Sequence, residues 1–164
     1  MTDRYGTPVE VDFAVKIREV DPDGYTITLT DYTKGAAQTS LDFGASYDGS
    51  VTFTVSAERP VVVAVKKGDN YTALKCTTVD GEHRYTLNVT EDTELVIAFR
   101  GDVNLDGAVK SSEVTMIKRA IAGTYQFKNG MAALTADING DGAVKSSDAT
   151  MLARSIAGTY TIKW

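Results

Sequence analysis

The sequence is poor in the residues that usually announce chemistry, with one cysteine, one histidine and one tryptophan among 164 residues. Cys76 has no partner for an intramolecular disulfide, so thiol pairing gives no argument about compartment. It lies in an alternating stretch, Tyr71 to Val79, with no base motif beside it, and reads as a buried, inert thiol. His83 sits in the turn-like Asp80-Gly81-Glu82-His83-Arg84-Tyr85 and has no second ligand of its kind, which makes it a poor metal or catalytic candidate. Positive charge is outweighed, with 17 Lys and Arg against 22 Asp and Glu. A formal net charge of -5 argues against a nucleic-acid or anionic-lipid partner, because both need clustered cations. Long hydrophobic runs are missing too. The longest, around Val61 to Val65, is far too short to span a bilayer, and the N-terminus lacks the basic-then-apolar order of a signal peptide. The sequence is therefore expected to be an excised part of something longer.

What is present divides into two grammars. From Thr7 to Phe99 the apolar residues alternate, first in Val9, Val11, Phe13, Val15 and Ile17. The alternation returns in Tyr25, Ile27 and Leu29, in Val51, Phe53 and Val55, in Val61, Val63 and Val65, in Tyr85, Leu87 and Val89, and in Leu95, Ile97 and Phe99. Turn signals separate these runs: Asp21-Pro22-Asp23-Gly24, Asp48-Gly49, Lys67-Gly68-Asp69-Asn70 and Asp80-Gly81. Seven or eight short strands of this kind predict an antiparallel β-sandwich of immunoglobulin-like type over residues 1–99, with Thr33 to Ser40 as a longer connection between sheets. No helix is needed before residue 100.

After Arg100 the spacing becomes helical and the chain repeats itself, with Asp102 answered by Asp137 thirty-five residues later. The first copy reads DVNLDGAVKSSEVTMIKRAIAGTY and the second DINGDGAVKSSDATMLARSIAGTY. In each, a loop is followed by apolar residues at helix intervals (Val114, Ile117, Ile121; Ala149, Leu152, Ile156) and by a glycine, Gly123 or Gly158, where a left-handed helix stop belongs. Between the copies, Asn129 to Thr135 predicts a short helix. The whole chain is thus expected to be α+β, with a small all-α module over residues 100–164.

Each copy opens with oxygen-bearing side chains at alternate positions, Asp102, Asn104 and Asp106, then Asp137, Asn139 and Asp141, followed at once by Gly107 or Gly142. That is the first half of an EF-hand calcium loop, in which the glycine permits the sharp turn and the next backbone carbonyl, of Ala108 or Ala143, becomes a ligand. Glu113 and Asp148 fall at the twelfth position, where a carboxylate closes the shell. Two bound calcium ions are expected. The ninth position holds Lys110 and Lys145, which cannot ligate a cation; water is expected there, with some loss of affinity. Bound ions that the unfolded chain cannot hold should stabilise a module with so small a core.

Loop-plus-helix calcium repeats that lack the entering helix of a full EF-hand resemble dockerins, over residues 101 to 164. The strings Lys110-Ser111-Ser112-Glu113-Val114-Thr115-Met116-Ile117-Lys118-Arg119 and Lys145-Ser146-Ser147-Asp148-Ala149-Thr150-Met151-Leu152-Ala153-Arg154 are similar to the type I pattern. In that pattern a small polar pair and a basic pair contact a cohesin module. The resemblance implies recognition by Ser111, Ser112, Lys118 and Arg119 on one face, and by Ser146, Ser147 and Arg154 on the other, where Ala153 replaces the first basic residue. By residue chemistry alone the serines read as helix caps and the basic residues as a solvated face that suits the helix dipole. The resemblance further implies an extracellular, cellulosome-like or amylosome-like assembly on a polysaccharide-degrading or scaffold protein. The sandwich is similar to the X-type accessory modules that often precede a dockerin. A monomer is expected.

Other functions fit the residues less well. Carbohydrate binding by the sandwich is the alternative, through Tyr5, Tyr32, Tyr47 or Tyr71, but the sandwich has no Trp and most of its aromatics follow the core pattern. An enzyme would need a nucleophile beside a base, a phosphate loop or an acid pair outside the calcium loops, and none is found; Glu10, Asp12, Glu91, Asp92 and Glu94 read as strand exteriors and turns. A calcium sensor is disfavoured by the missing entering helices and Met-rich groove. Trp164 and Tyr160 are expected to fold the tail back towards Gly101-Asp102.

Overall fold

The computed structural model describes residues 24–164. The expected strand from Val9 to Ile17, most of the Asp21–Gly24 turn, and Tyr5, Glu10 and Asp12 lie outside the described residues.

Nine strands precede the helices among the described residues: β1 (Tyr25–Asp31), β2 (Gln38–Thr39), β3 (Ser46–Tyr47), β4 (Gly49–Ser56), β5 (Val61–Lys67), β6 (Asn70–Ala73), β7 (Thr77–Val79), β8 (Glu82–Val89) and β9 (Thr93–Phe99). They form two sheets, ordered β3-β1-β9-β5-β6 and β2-β4-β8-β7. Between them lies a core that includes Ile27, Phe53, Val55, Val63, Tyr85, Leu87 and Leu95. The alternation in β4 and β8 is what a strand with one dry and one wet face requires. Phe53 and Tyr85 are cross-strand partners, and their rings stack with centroids 5.7 Å apart.

The sandwich is not wholly antiparallel, as the sequence pattern suggested. β1 runs parallel to β9, with Leu29 opposite Leu95. Parallel neighbours need a long connection rather than a hairpin, and here the chain between them visits the other sheet and returns. The stretch Tyr71 to Val79 is likewise not one strand. It divides into β6 in one sheet and β7 in the other, and half-buried Cys76 sits on the crossing segment between them. The turn into β8 is as expected: Asp80 (φ 52°) and Gly81 (φ 81°) both take the left-handed conformation that a tight hairpin needs.

β5 and β9 break the alternation, because Val61 to Ala64 and Leu95 to Phe99 are buried without interruption. Their second face is covered. Val62, Ala64, Val96 and Ala98 pack against Leu105, Met131 and Ala132 of the helical part, so the two parts share a core. Three helices make up that part: α1 (Ser111–Ile121), α2 (Gly130–Ala136) and α3 (Ser146–Ile156). The short α2 lies against β5, β6 and β9. α1 and α3 pack on each other around Val103, Val114, Ile117, Ile138, Ala149 and Leu152. Gly123 (φ 73°) and Gly158 (φ 74°) end the two long helices as the pattern predicted.

The junction has no slack. The Arg100 amide donates to the Pro60 carbonyl at 2.9 Å, and the Gly101 amide to that of Thr135 at 2.8 Å. Gly101 has φ 99°, and a Cβ there would stand 2.7 Å from Cδ1 of Leu152, so only glycine lets the chain pass so close to α3.

Candidate functional site

The two loops fold alike because their own side chains organise their backbones. In the first, the Asp102 carboxylate accepts from the amides of Asp106 (3.0 Å) and Gly107 (2.8 Å), the Asn104 amide oxygen from Asp106 (2.9 Å), and Asp106 from Ala108 (2.9 Å). In the second, Asp137 accepts from Gly140 (2.9 Å), Asp141 (3.2 Å) and Gly142 (2.8 Å), Asn139 from Asp141 (2.9 Å), and Asp141 from Ala143 (3.0 Å). Each alternate side chain thus accepts amides from the residues just after it, which curls the loop backbone around it.

The carboxylates at the twelfth loop position, Glu113 and Asp148, stand at the third residue of each helix. Glu113 Oε2 accepts from the Lys110 amide at 2.6 Å, and Asp148 Oδ2 from the Lys145 amide at 2.8 Å. Asp148, one methylene shorter, also accepts from the amides of Ile138 (2.9 Å) and Asn139 (3.2 Å), tying the end of its loop to the start. Lys110 and Lys145, not the serines, occupy the cap positions of α1 and α3. The reading of the serines as caps is corrected accordingly. Ser112 instead donates to the Glu113 carboxylate at 3.0 Å, and Ser111 and Ser146 are exposed.

Asp102, Glu113 and Asp148 are fully buried and Asp137 nearly so, yet none has an ion-pair partner among the described residues. Burial pushes the Asp102 carboxyl above its ordinary range, against the pull of the Gly107 and Asp106 amides. Buried carboxylates without a counter-charge are costly, and buried charges in proteins are paired or coordinate metals. No three His, Cys, Asp or Glu groups among the described residues are drawn into a ready-made metal cluster. The donor sets mix carboxylates with an amide and a backbone oxygen, which suits a hard oxygen-seeking cation with adaptable geometry.

The ninth-position lysines have a role that spacing alone did not reveal. Lys110 Nζ lies 3.1 Å from Asp106 Oδ2, and Lys145 Nζ 2.9 Å from Asp141 Oδ2. Burial acts to raise the Asp106 carboxyl, but hydrogen bonds from Lys110, Asn104 and Ala108 together hold it below its usual range. The bond from Lys145 is the main cause of the same shift at Asp141. Each lysine is thus a counter-ion to the fifth-position carboxylate.

The copies differ at the fourth position. Leu105 takes φ 60°, a conformation that disfavours side chains, where the second copy has Gly140 at φ 71°. Its side chain is buried in the core shared with β5 and β9. A Cβ on Gly107 would lie 3.1 Å from the Tyr32 carbonyl, so the first loop also rests on the segment after β1. Sequence comparison of the copies shows Leu against Gly but not what the leucine touches.

Lys118, Arg119 and Arg154 are exposed, as are Ile121 and Ile156 at matching positions. Arg154 lies over the Tyr160 ring. The tail returns only in part as expected: Ile162 is buried beside Val103 in the helical core, but Trp164 stacks on His83 of β8. A flat aromatic at the C-terminus finds a flat partner on the sandwich rather than at the Gly101-Asp102 start. Of the sandwich tyrosines described, Tyr32 packs into the shared core, Tyr71 covers Gly130, and the Tyr47 hydroxyl donates to the Asp42 carbonyl at 3.0 Å.

Residues 100–157 match the dockerin type I domain, so the duplicated loops and helices are similar to that family. The match runs from the end of β9 to the residue that caps α3. No curated protein and no solved structure matches the chain.

Proposed function

We propose that this chain is a non-catalytic, calcium-dependent adaptor whose helical part binds a cohesin module and so anchors a secreted polysaccharide-degrading or scaffold protein to a multi-enzyme complex. The observation that carries this reading is the pair of matching loops, each with buried carboxylates that no lysine or arginine pairs and each leading into a helix that opens on Ser-Ser and carries an exposed arginine, within the stretch similar to dockerin type I domains. Calcium would be held by Asp102, Asn104, Asp106, the Ala108 carbonyl and Glu113, and by Asp137, Asn139, Asp141, the Ala143 carbonyl and Asp148. When bound, the ions neutralise the buried carboxylates and fix the starts of α1 and α3. Those helices then present Ser111, Ser112, Lys118 and Arg119, or Ser146, Ser147 and Arg154, to the partner. The sandwich, residues 1–99, is a structural companion to the module at 100–164.

Native-gel mobility of the chain against a panel of cohesins, with calcium and with chelator, tests the reading. A calcium-dependent complex with at least one cohesin is expected. Absence of any complex across the panel in calcium would refute it.

A further inference from the structure

Between the second loop, β5 and the C-terminal tail lies a cleft of about 600 Å³, a size suited to a small organic ligand. Its lining is rich in donors without acceptors. The Tyr85 side chain is buried, and its hydroxyl has no oxygen or nitrogen partner among the described residues, with only the weakly accepting Cys76 thiol beside it. Arg100 donates through Nη1 to the Asp137 carbonyl at 2.9 Å, but its Nε–H is buried and likewise unpartnered. Lys75 and Lys163, both exposed on the cleft, make no ion pair among the described residues. The one side-chain carboxylate in the lining, that of Asp137, already accepts the amides of Gly140, Asp141 and Gly142. Among the side chains of the lining three are cationic and one is anionic, in a chain whose net charge is -5.

Unpartnered buried donors are uncommon in native folds because each one costs the hydrogen bond it had with water. Tyr85 and Arg100 line the cleft with these donors unpaired, so a ligand that brings an acceptor fits them. The ligand must be an acceptor and must carry negative charge. The flat rings of Trp164 and Tyr160 also line the cleft and suit the apolar face of a small ring.

We infer that this cleft binds a small organic monocarboxylate, its carboxylate held by Arg100, Lys75 and Lys163 with the Tyr85 hydroxyl donating, and its ring placed against Trp164. A hexuronic acid and a simple aromatic acid share this chemistry. Burial, and then the neighbouring Cys76 thiol, push the Tyr85 phenol well above its usual range, so it stays a donor at any working pH. The site is distinct from the partner-binding helices, and it stands whether or not the adaptor reading does.

Trp164 is the sole tryptophan, so its indole N–H gives a single resonance that reports on the cleft. The full chain in constant excess calcium is titrated with glucuronate, benzoate and, as a neutral control, glucose. A saturable shift is expected with one acid or both, the tighter of the two naming the source, and glucose should bind about tenfold more weakly or worse. Lys75→Ala/Lys163→Ala changes only exposed side chains and should weaken binding by about tenfold. Tyr85→Phe should weaken it while leaving the melting temperature unchanged or higher. No saturable shift with either acid at millimolar concentration, an equal response to glucose, or unchanged affinity in the double lysine variant would each overturn the proposal.

Discussion

The imidazole of His83 lies flat against the indole of Trp164, ring centroids 3.6 Å apart and planes within 7°. This stack fastens the end of the chain to β8, on the sheet remote from α2. Trp164→Ala is expected to destabilise the chain by at least about 1 kcal/mol, the typical worth of an aromatic pair beyond its buried area. His83→Ala should cost a similar amount, and the double variant little more than either single one. Urea unfolding of the three variants measures this, and strictly additive losses would show that the stack does not couple the two residues.

The same stack gives a pH dependence. Burial lowers the His83 pKa below its ordinary 6.5, so the folded state prefers the neutral ring. The unfolded chain takes up the proton first as the pH falls, and stability is lost from about pH 6.5 down through the depressed folded value. Above that window His83 contributes no pH dependence. Comparing melting temperatures of the parent and His83→Gln between pH 5 and 7.5 isolates this contribution, and parallel profiles would disprove it.

Removing calcium should be felt beyond the helices. Each ion at a free concentration about a hundredfold above its dissociation constant adds roughly 2.7 kcal/mol. Because Leu105, Met131 and Ala132 share a core with Val62, Ala64, Val96 and Ala98, chelator should lower one common melting transition. Sequence grammar alone suggests that the sandwich would be spared. A sandwich transition unmoved by chelator would mean that the shared core does not couple the parts.

Leu105→Gly would relieve a left-handed leucine but remove its side chain from the core. Relief is worth about 1 kcal/mol and burial about 2 to 3, so a net loss of about 1 to 2 kcal/mol is expected. Gly140→Leu has no core to fill and should cost about 1 kcal/mol from strain alone. Equilibrium unfolding in calcium distinguishes the two, and a stabilised Leu105→Gly would show that the leucine is not a clamp.

Lys110→Gln removes the ammonium from Asp106, where it competes with any cation. Calcium affinity should rise by about two- to fivefold, the range for an exposed ion pair. Competition titration against a chelating dye gives the number, and a fall in affinity would overturn the competing role.

Cohesin affinity should fall further in Ser111→Asp/Ser112→Asp than in Ser146→Asp/Ser147→Asp, because the first copy offers Lys118 and Arg119 where the second has Ala153 and Arg154. At a dry interface the lack of one charged partner corresponds to about tenfold or more. Equal, negligible losses from both pairs would show that either copy serves alone.

Much of this was legible in the chain. The duplicated loops were readable because their alternate Asp and Asn residues and the glycine that follows act locally: how such a side chain holds the next amides depends on little outside the turn. The helix stops at Gly123 and Gly158 were local for the same reason. The parallel pairing of β1 with β9 was not readable, since alternation fixes which side of a strand is dry but not its neighbour. The continuous runs Val61 to Ala64 and Leu95 to Phe99 did carry a signal, because a strand buried on both faces loses its alternation. Reading only every second residue hid the shared core. Trp164 was misplaced because stacking between residues 83 and 164 leaves no trace in either local pattern.

The Phe99–Arg100–Gly101 junction has a mechanical consequence. A pull on the helical part enters β9 lengthwise, with no linker to stretch first. β9 is an inner strand, bonded to β1 on one side and β5 on the other. Tension along it must slide two ladders at once instead of opening one bond after another from an edge. Under load the chain would then yield late and abruptly, as a shear pin does.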